Sequence, residues 1–360
     1  MPAFTLVDRV DQLADRLESL TRIGVDTEFM RERTYFSQLC LLQVSTPDHI
    51  YCIDPLGNED LADTWAMLSE REWVLHSARQ DIEVIYQTTE RMPATIFDTQ
   101  VAAALLGFQP QIGYSGLVQE LFDVELPKSH TRADWSKRPL PDEFLEYAAE
   151  DVEYLLPAYD ELAGRLEARG RLNWAIEDSK LLLDKRLYDI DPNAAVDRLK
   201  GARNLRGRRR SVAAALASWR ESEALRRNRP RQWILRDNVV INIAYAMPES
   251  TSALARVEDM PGKLVSRAGK EIVRVVGEAS KNGSDYKPPR PPDEAQKSLL
   301  KKMQAAVQEC AADLGLAAEI IASRKELSGV IIGGNRQSRV FGGWRRDLIG
   351  GRLQELLEAG

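Results

Sequence analysis

Cysteine is scarce in this chain, long hydrophobic runs are missing, and so is a basic leader. Each shortage removes a class of protein. Cys40, Cys52 and Cys310 are odd in number, far apart and without a CxxC pair. They predict reduced thiols of a cytoplasmic protein, and neither a disulfide framework nor a zinc cage. No run of 18 or more apolar residues is present, so no membrane span is expected. The opening MPAFTLVDRVDQLADRL carries Asp8 and Asp11 and passes straight into an amphipathic pattern. A signal peptide needs a basic start followed by an apolar stretch, and none is expected here. A GxxxxGK[ST] phosphate loop is absent as well, which argues against an ATP-driven helicase.

What is present suffices for two or three domains: 360 residues, 44% hydrophobic and 29% charged. The charge is unevenly spread. Residues 198–236 hold thirteen basic side chains against Glu221 and Glu223, a net +11 inside a chain of net −6. Such asymmetry is expected of a basic module that docks a polyanion beside an acidic module with another task. A solvated surface is the plainer reading of any basic run, but Trp219 and Trp233 interleave with the arginines and favour nucleic acid. The candidate RNA contacts are Arg206, Arg208, Arg209, Arg210, Arg229, Arg231, Trp233 and Arg236. Lys128 and Arg132, with His130 and Lys137, could grip phosphates from the segment between Leu126 and Pro139, or simply line a solvated loop.

Residues 1–20 predict a helix with Val7, Val10, Leu13, Leu17 and Leu20 on one face. Strands are expected at Ile23–Phe29, Leu39–Val44, His49–Ile53, Trp73–His76 and Ala94–Phe97, the second and third separated by the turn signal STPD. Helices are expected over Asp60–Leu68, Ile82–Gln87, from Asp98 as cap through Leu106, and over Ser115–Phe122, Asp142–Arg169 and Leu172–Tyr188. Early strands joined by tight turns, then strand–helix alternation, imply a mixed sheet, antiparallel on one side and parallel on the other. The first domain ends near Asp189-Ile190-Asp191-Pro192, and residues 193–280 are helical in pattern. The proline-rich KNGSDYKPPRPPDEAQ is a stiff linker to a last helical stretch, where Gly333-Gly334 and Gly342-Gly343 break helices.

Five residues in three segments carry the chemistry. Asp26 and Glu28 are two apart on a strand and so share a face. The apolar neighbours Ile23, Val25 and Phe29 imply burial, where paired carboxylates repel and lose hydration unless a cation offsets the cost. A strand that emerges into solvent at Asp26 is the plainer reading of a D-x-E alone. Tyr147 and Asp151 are one helical turn apart, but Glu150 and Glu153 show that spacing alone does not select Asp151. Asp81 reads either as a cation ligand or as the N-cap of the helix it opens. His76 reads as a core histidine, Gln43 on its buried strand either touches substrate or caps a backbone group, and Trp135 and Arg138 have no assigned role.

Taken in order, GVDTEF, LHSARQDIEVIYQ, IFDTQVAAALLGF, YSGLVQELFDVEL and RADWSKRPLPDEFLEYAAEDVEYLLPAY resemble the DEDD exonucleases of the tyrosine subclass, ribonuclease D most closely. RNRPRQWILRDNVVINIAYAMP is similar to the HRDC domain, and LGLAAEIIASRKEL with GWRRDLIGGRL resembles the second, divergent HRDC-like module of that family. The resemblance implies an α/β ribonuclease H-like exonuclease domain over residues 1–190, a mixed sheet with flanking helices. Two small all-α HRDC-type domains would follow over 205–285 and 293–360. It further implies that Asp26, Glu28 and Asp151 ligate one divalent metal ion, with Asp26 bridging to a second that Asp81 supports through water. Oxygen ligands suit Mg²⁺ or Mn²⁺. Tyr147 would orient the attacking water. The implied activity is 3′→5′ trimming of RNA, above all 3′ ends of precursor tRNA, releasing nucleoside 5′-monophosphates from a monomer that needs no small-molecule cofactor. A DNA exonuclease and a non-catalytic RNA-docking protein are the competing readings.

Overall fold

The structure is a computed structural model that describes residues 3–7, 13, 16–17, 19–57, 61–127, 133–288 and 290–359. It falls into two units. The first comprises residues 1–30, 39–188 and 291–360, and the second residues 31–38 and 189–290. Val10, Asp8, Asp11, Lys128, His130 and Arg132 lie outside the described residues.

The first unit is built on a six-stranded sheet: β1 (Phe4–Val7), β2 (Arg22–Met30), β3 (Gln38–Ser45), β4 (Ile50–Ile53), β5 (Glu72–Leu75) and β6 (Thr95–Asp98). The spatial order is β1-β4-β3-β2-β5-β6. β1 is parallel to β4, β4 antiparallel to β3, and β2, β5 and β6 are parallel to one another. The helix expected over residues 1–20 is corrected here. Phe4–Val7 is a strand, because its aromatic and β-branched side chains find the free edge of β4, with Phe4 beside Ile50 and Val7 beside Ile53. Helical backbone does occur at Leu13, Arg16 and Leu17, and Leu13 and Leu17 are buried as their spacing requires.

Period-two alternation sets the two faces of β2. Ile23 and Val25 enter the core that includes Leu42, Val44, Trp73 and Ile82, so Gly24, Asp26 and Glu28 point the other way. At Gly24 a Cβ would collide with Ser45 Oγ and meet Leu155 Cβ at 3.1 Å, so only glycine lets the strand and the overlying helix approach this closely. β2 and β3 are neighbours in the sheet, and residues 31–37 are too few for the crossover that a parallel pair needs, so the two run antiparallel. The approach of Ser45 Oγ to Gly24 puts Gly24, Asp26 and Glu28 on the same face of the sheet as Leu41, Gln43 and Ser45.

The flanking helices are α1 (Ala62–Ser69), α2 (Arg79–Thr89), α3 (Thr99–Leu105), α4 (Tyr114–Phe122), α5 (Asp142–Glu153), α6 (Leu155–Ala168) and α7 (Leu172–Lys180). The single helix expected over 142–169 is broken at Tyr154. Pro157 explains the break, since its ring excludes the carbonyl of residue 153 from a continuous helix. The helix expected over 172–188 stops at Lys180 and gives way to two 3₁₀ turns, the second capped by Asp184, which accepts from Arg186 N–H.

Residues 291–360 belong to this same unit. Their helices at Glu294–Leu314, Arg324–Gly333 and Gly351–Glu358 bury Met303, Val307, Leu327 and Leu353 in one core with Phe97, Leu162, Leu166 and Ala175. Trp344 stacks on Trp174 at 4.4 Å. Arg345, 2% exposed, donates to both oxygens of Asp178 at 2.6 and 2.7 Å and to the carbonyls of Ile320 and Ile321. A buried guanidinium with this full set of acceptors is tolerated; one stripped of Asp178 would not be.

In the second unit, helices at Gly207–Arg227, Asp237–Ala246 and Gly262–Ala279 close around Val212, Leu216, Val240, Ile243 and Ile272. Several polar groups serve its interior. Arg220 donates to Leu235 O and Asp237, and the fully buried Glu221 takes Arg198 at 3.0 Å and the hydroxyl of Tyr35. Arg210 was expected to contact RNA, but its place in the fold argues otherwise. It is 5% exposed and donates to Ala202 O and Asp197, with its guanidinium over the Tyr286 ring, so its charge serves the interior. Trp219 likewise packs into the core.

Candidate active site

Three elements bring the five chemistry-bearing residues together. β2 carries Asp26 and Glu28 on the face opposite its apolar core, and α5, packed on β2 and β4, carries Tyr147 and Asp151. Asp81 is the third residue of α2. It is not the cap of that helix, whose N-cap position is Ala78. Thr27, between Asp26 and Glu28, donates its hydroxyl to Asp81 Oδ1 at 2.5 Å and so ties the second motif to the first.

All four carboxyls are held above their ordinary range. Burial holds the Asp26 carboxyl well above its ordinary range, and Asp81, Asp151 and Glu28 each push it further. Burial also raises Glu28 to about 8, with Asp151 and Asp81 adding to the shift. Asp81 and Asp151 are raised to about 7, in both cases first by burial, with the Thr27 and Tyr147 hydroxyls pulling back in turn. The charged neighbours that act on Asp26 and Glu28 are all carboxylates. Among the described residues no three His, Cys, Asp or Glu side chains are already drawn together as a closed ligand cage. The fit to divalent cations therefore rests on the donor set: acceptor-only oxygens, mutual repulsion and partial burial. Asp26, Glu28 and Asp151 keep part of their surface in contact with solvent.

Tyr147 donates to Asp151, and burial together with Asp151, Glu28 and Asp26 raises its phenol above the ordinary range. It is a hydrogen-bond donor at neutral pH and not a base. Trp135, buried against Phe144 and tilted over Tyr147 at 6.2 Å, fixes the tyrosine ring. Arg138 binds both oxygens of Asp54 at 2.6 Å and the carbonyl of Cys40 at 2.7 Å, anchoring the segment that leads into α5. These contacts give the two residues the supporting roles that the sequence left unassigned.

Further supports come from side chains whose sequence signals were slight. His76 is a core histidine: its nitrogens pair with Thr99 Oγ1 and Ile112 O, both at 2.9 Å, and burial lowers its pKa. Asp98, legible as the cap of α3, also accepts from the backbone N–H groups of Ser77 and Ala78. It thereby holds Ser77 in its left-handed conformation (φ 59°) just ahead of Asp81. Tyr114 was not singled out in the sequence. Its hydroxyl accepts from Tyr154 N–H at 2.9 Å and donates to Glu150 O at 3.3 Å, bridging the break after α5, and its ring rests edge-on against His76. The only local signal was a tyrosine opening the YSGL helix.

Tyr114→Phe should keep the ring packing but free the Tyr154 N–H, one turn from Asp151. The expected result is a loss of ~1 kcal/mol in stability and a roughly tenfold fall in kcat, equivalent to ~1.4 kcal/mol, at unchanged KM. Thermal melts and steady-state RNA hydrolysis check both, and an unchanged kcat would remove Tyr114 from the support of the site.

Residues 4–167 match the 3′–5′ exonuclease family and residues 209–276 the HRDC domain. The chain is 35% identical over 364 residues to ribonuclease D of Gluconacetobacter diazotrophicus, covering 97% of this chain and 91% of that protein. It is 35% identical over 356 residues to ribonuclease D of Xanthomonas oryzae pv. oryzae, covering 97% of each. Among solved structures, Escherichia coli RNase D, described as an exoribonuclease involved in structured RNA processing, superposes with a TM-score of 0.90 at 28% identity. That likeness covers 99% of both chains.

Proposed function

The chain belongs to the ribonuclease D family of 3′→5′ exoribonucleases, and on that premise we propose that Asp26, Glu28, Asp81 and Asp151 hold two divalent cations, Mg²⁺ or Mn²⁺, at the 3′ end of an RNA. The observation that carries the reading is the gathering of four buried or half-buried carboxylates, with Asp81 and Asp151 acting on both Asp26 and Glu28. Divalent cations bound there would lower the pKa of a water and stabilise the departing 3′ oxygen. The chain's own residues set the geometry for that step. Thr27 keeps Asp81 turned towards β2, and the Tyr147 phenol, protonated at neutral pH, donates to Asp151 and is placed to orient the water. The product is a nucleoside 5′-monophosphate.

We propose an exonuclease domain over 1–190, an HRDC domain over 205–285, and a divergent HRDC-like module over 293–360 that packs into the core of the first unit. RNA affinity comes from the exposed Arg206, Arg208, Arg209, Arg229 and Arg236, with the half-buried Arg231. Trp233, 60% exposed among them, offers a face for base stacking. Arg209, over the exposed Tyr245 ring at 4.6 Å, makes a second mixed platform. Phosphate pairing of this kind weakens as salt rises. The natural substrate we propose is the 3′ end of precursor tRNA, taken by a monomer in the cytoplasm; the involvement of the E. coli relative in structured RNA processing supports it. Among the described residues no helix is long and apolar enough to cross a membrane.

The test is a gel assay with 3′-extended tRNA and its DNA counterpart, with Mg²⁺ or EDTA, for wild type and Asp151→Ala. Stepwise shortening of RNA alone, lost with EDTA and in the variant, is the expected result. Shortening of DNA at an equal rate would move the substrate class. Binding without shortening under every cation would mark an RNA-docking protein.

A further inference from the structure

Gln43 lies within β3, fully buried, and among the described residues neither polar atom of its carboxamide has a hydrogen-bond partner. An amide buried in that state costs ~1–3 kcal/mol in proteins. A methionine of equal length would avoid the cost, so the polarity needs another explanation. Alternation along β3 sends Leu42 and Val44 into the core on one face, whereas Leu41 packs with Cys52, Leu145 and Ala148 under α5. Gln43 is paired with Cys52 and faces the same way as Leu41. Ser45, two residues on, also has a hydroxyl without a partner, and a Cβ on Gly24 would strike it. Gln43 shares the Ser45 face of β3 and Asp26 the Gly24 face of β2, so the two lie on one face of adjacent strands. On such a face directly opposed and diagonal neighbours are within reach of a long side chain.

We propose that Gln43 is a positioning residue whose carboxamide N–H groups donate to the Asp26 carboxylate in the cation-loaded chain, fixing the orientation of that carboxylate. This rests on the cation-binding reading above. An ionised carboxylate accepts only, and it has more lone pairs than two cations occupy. Metal-ligating carboxylates are commonly held by a further ring of hydrogen bonds, and loss of such a partner costs roughly 10–100-fold in affinity. The orphaned donor of the cation-free chain thus becomes a partnered one in the loaded chain.

The discriminating variant is Gln43→Met in the full chain. Its cation-free melting temperature should be unchanged or higher, because an unsatisfied polar group is gone. Its Mn²⁺ affinity, read by calorimetry, should fall roughly tenfold or more, and kcat should fall while KM for RNA holds. A glutamine that merely fills space predicts the opposite pattern, a lower melting temperature with Mn²⁺ affinity intact, and that result overturns the proposal. If the variant does not fold, the ¹⁵N-labelled wild type decides the matter. The Gln43 side-chain amide resonances should shift downfield and exchange more slowly on adding Mg²⁺; resonances that stay put overturn the proposal. Failure of the wild type to bind Mn²⁺ at all would instead remove the metal reading itself, a separate outcome.

Discussion

Asp26→Asn should eliminate RNA hydrolysis, by a factor on the order of 10³ or more, while leaving the fold and RNA affinity in place. The magnitude follows from the several kcal/mol that a positioned cation supplies to such a transition state. Asp26 is the carboxylate on which Asp81, Asp151 and Glu28 all act, so on the proposed reading its loss disturbs the whole ligand set. Asparagine keeps the shape but removes the buried charge. The cation-free variant should therefore melt no lower than wild type at pH 8. RNA affinity, on the proposed assignment to exposed arginines of the second unit, should survive, with the same decline as salt rises. Single-turnover hydrolysis, salt-titrated RNA binding and a melt together check the expectation. Activity within tenfold of wild type would sink the assignment of Asp26 as a ligand.

The second large effect is an inversion of pH dependence by divalent cations. Glu28 is raised to about 8 and Asp81 and Asp151 to about 7, each first by burial. Carboxyls with folded pKa values above their unfolded values bind protons more tightly in the native state. Their contribution to stability is full below the unfolded values, roughly pH 4. It is lost as pH rises through the folded values, between about 7 and 8. Without cations, the protein should thus melt several degrees higher at about pH 5.5 than at about pH 8, a difference on the order of a few kcal/mol. Cations bind the deprotonated set and release protons, and the stabilisation by a bound ligand grows with its affinity. With millimolar Mg²⁺ the order should reverse, and binding at pH 7 should liberate protons in amounts that change with the ionisation heat of the buffer. A cation-free melting temperature that rises from pH 5.5 to pH 8 would contradict the burial of these carboxylates.

Much of the fold was written locally. The alternation in β2, the cap at Asp98 and the one-turn spacing of Tyr147 and Asp151 depend only on residues close in the chain, and each is found where its pattern indicated. Pro157 also marked the break after α5, although the apolar period runs across it. Phe4–Val7 misled because a four-residue segment has no periodicity of its own to oppose an amphipathic reading. Its strand conformation comes from β4, more than forty residues away. Arg210 misled for a related reason: charge was counted along the chain, whereas its acceptors, Ala202 O and Asp197, determine which way it turns.

The candidate site divides along the same line. The sequence singled out five candidate residues, because the order and context of their short motifs resemble the family, while spacing within each motif gave only a shared face. Only the tertiary structure decided that Asp81 is held by Thr27, that Tyr114 bridges the end of α5, and that Gln43, without a partner among the described residues, shares a face with Asp26 on the adjacent strand. It also decided that residues 291–360 share a core with Phe97 and Leu162. Those facts depend on packing between segments tens to hundreds of residues apart, and on the burial that packing creates. Burial raises the carboxyl pKa values and leaves the carboxamide unsatisfied, and no local pattern of residues encodes it.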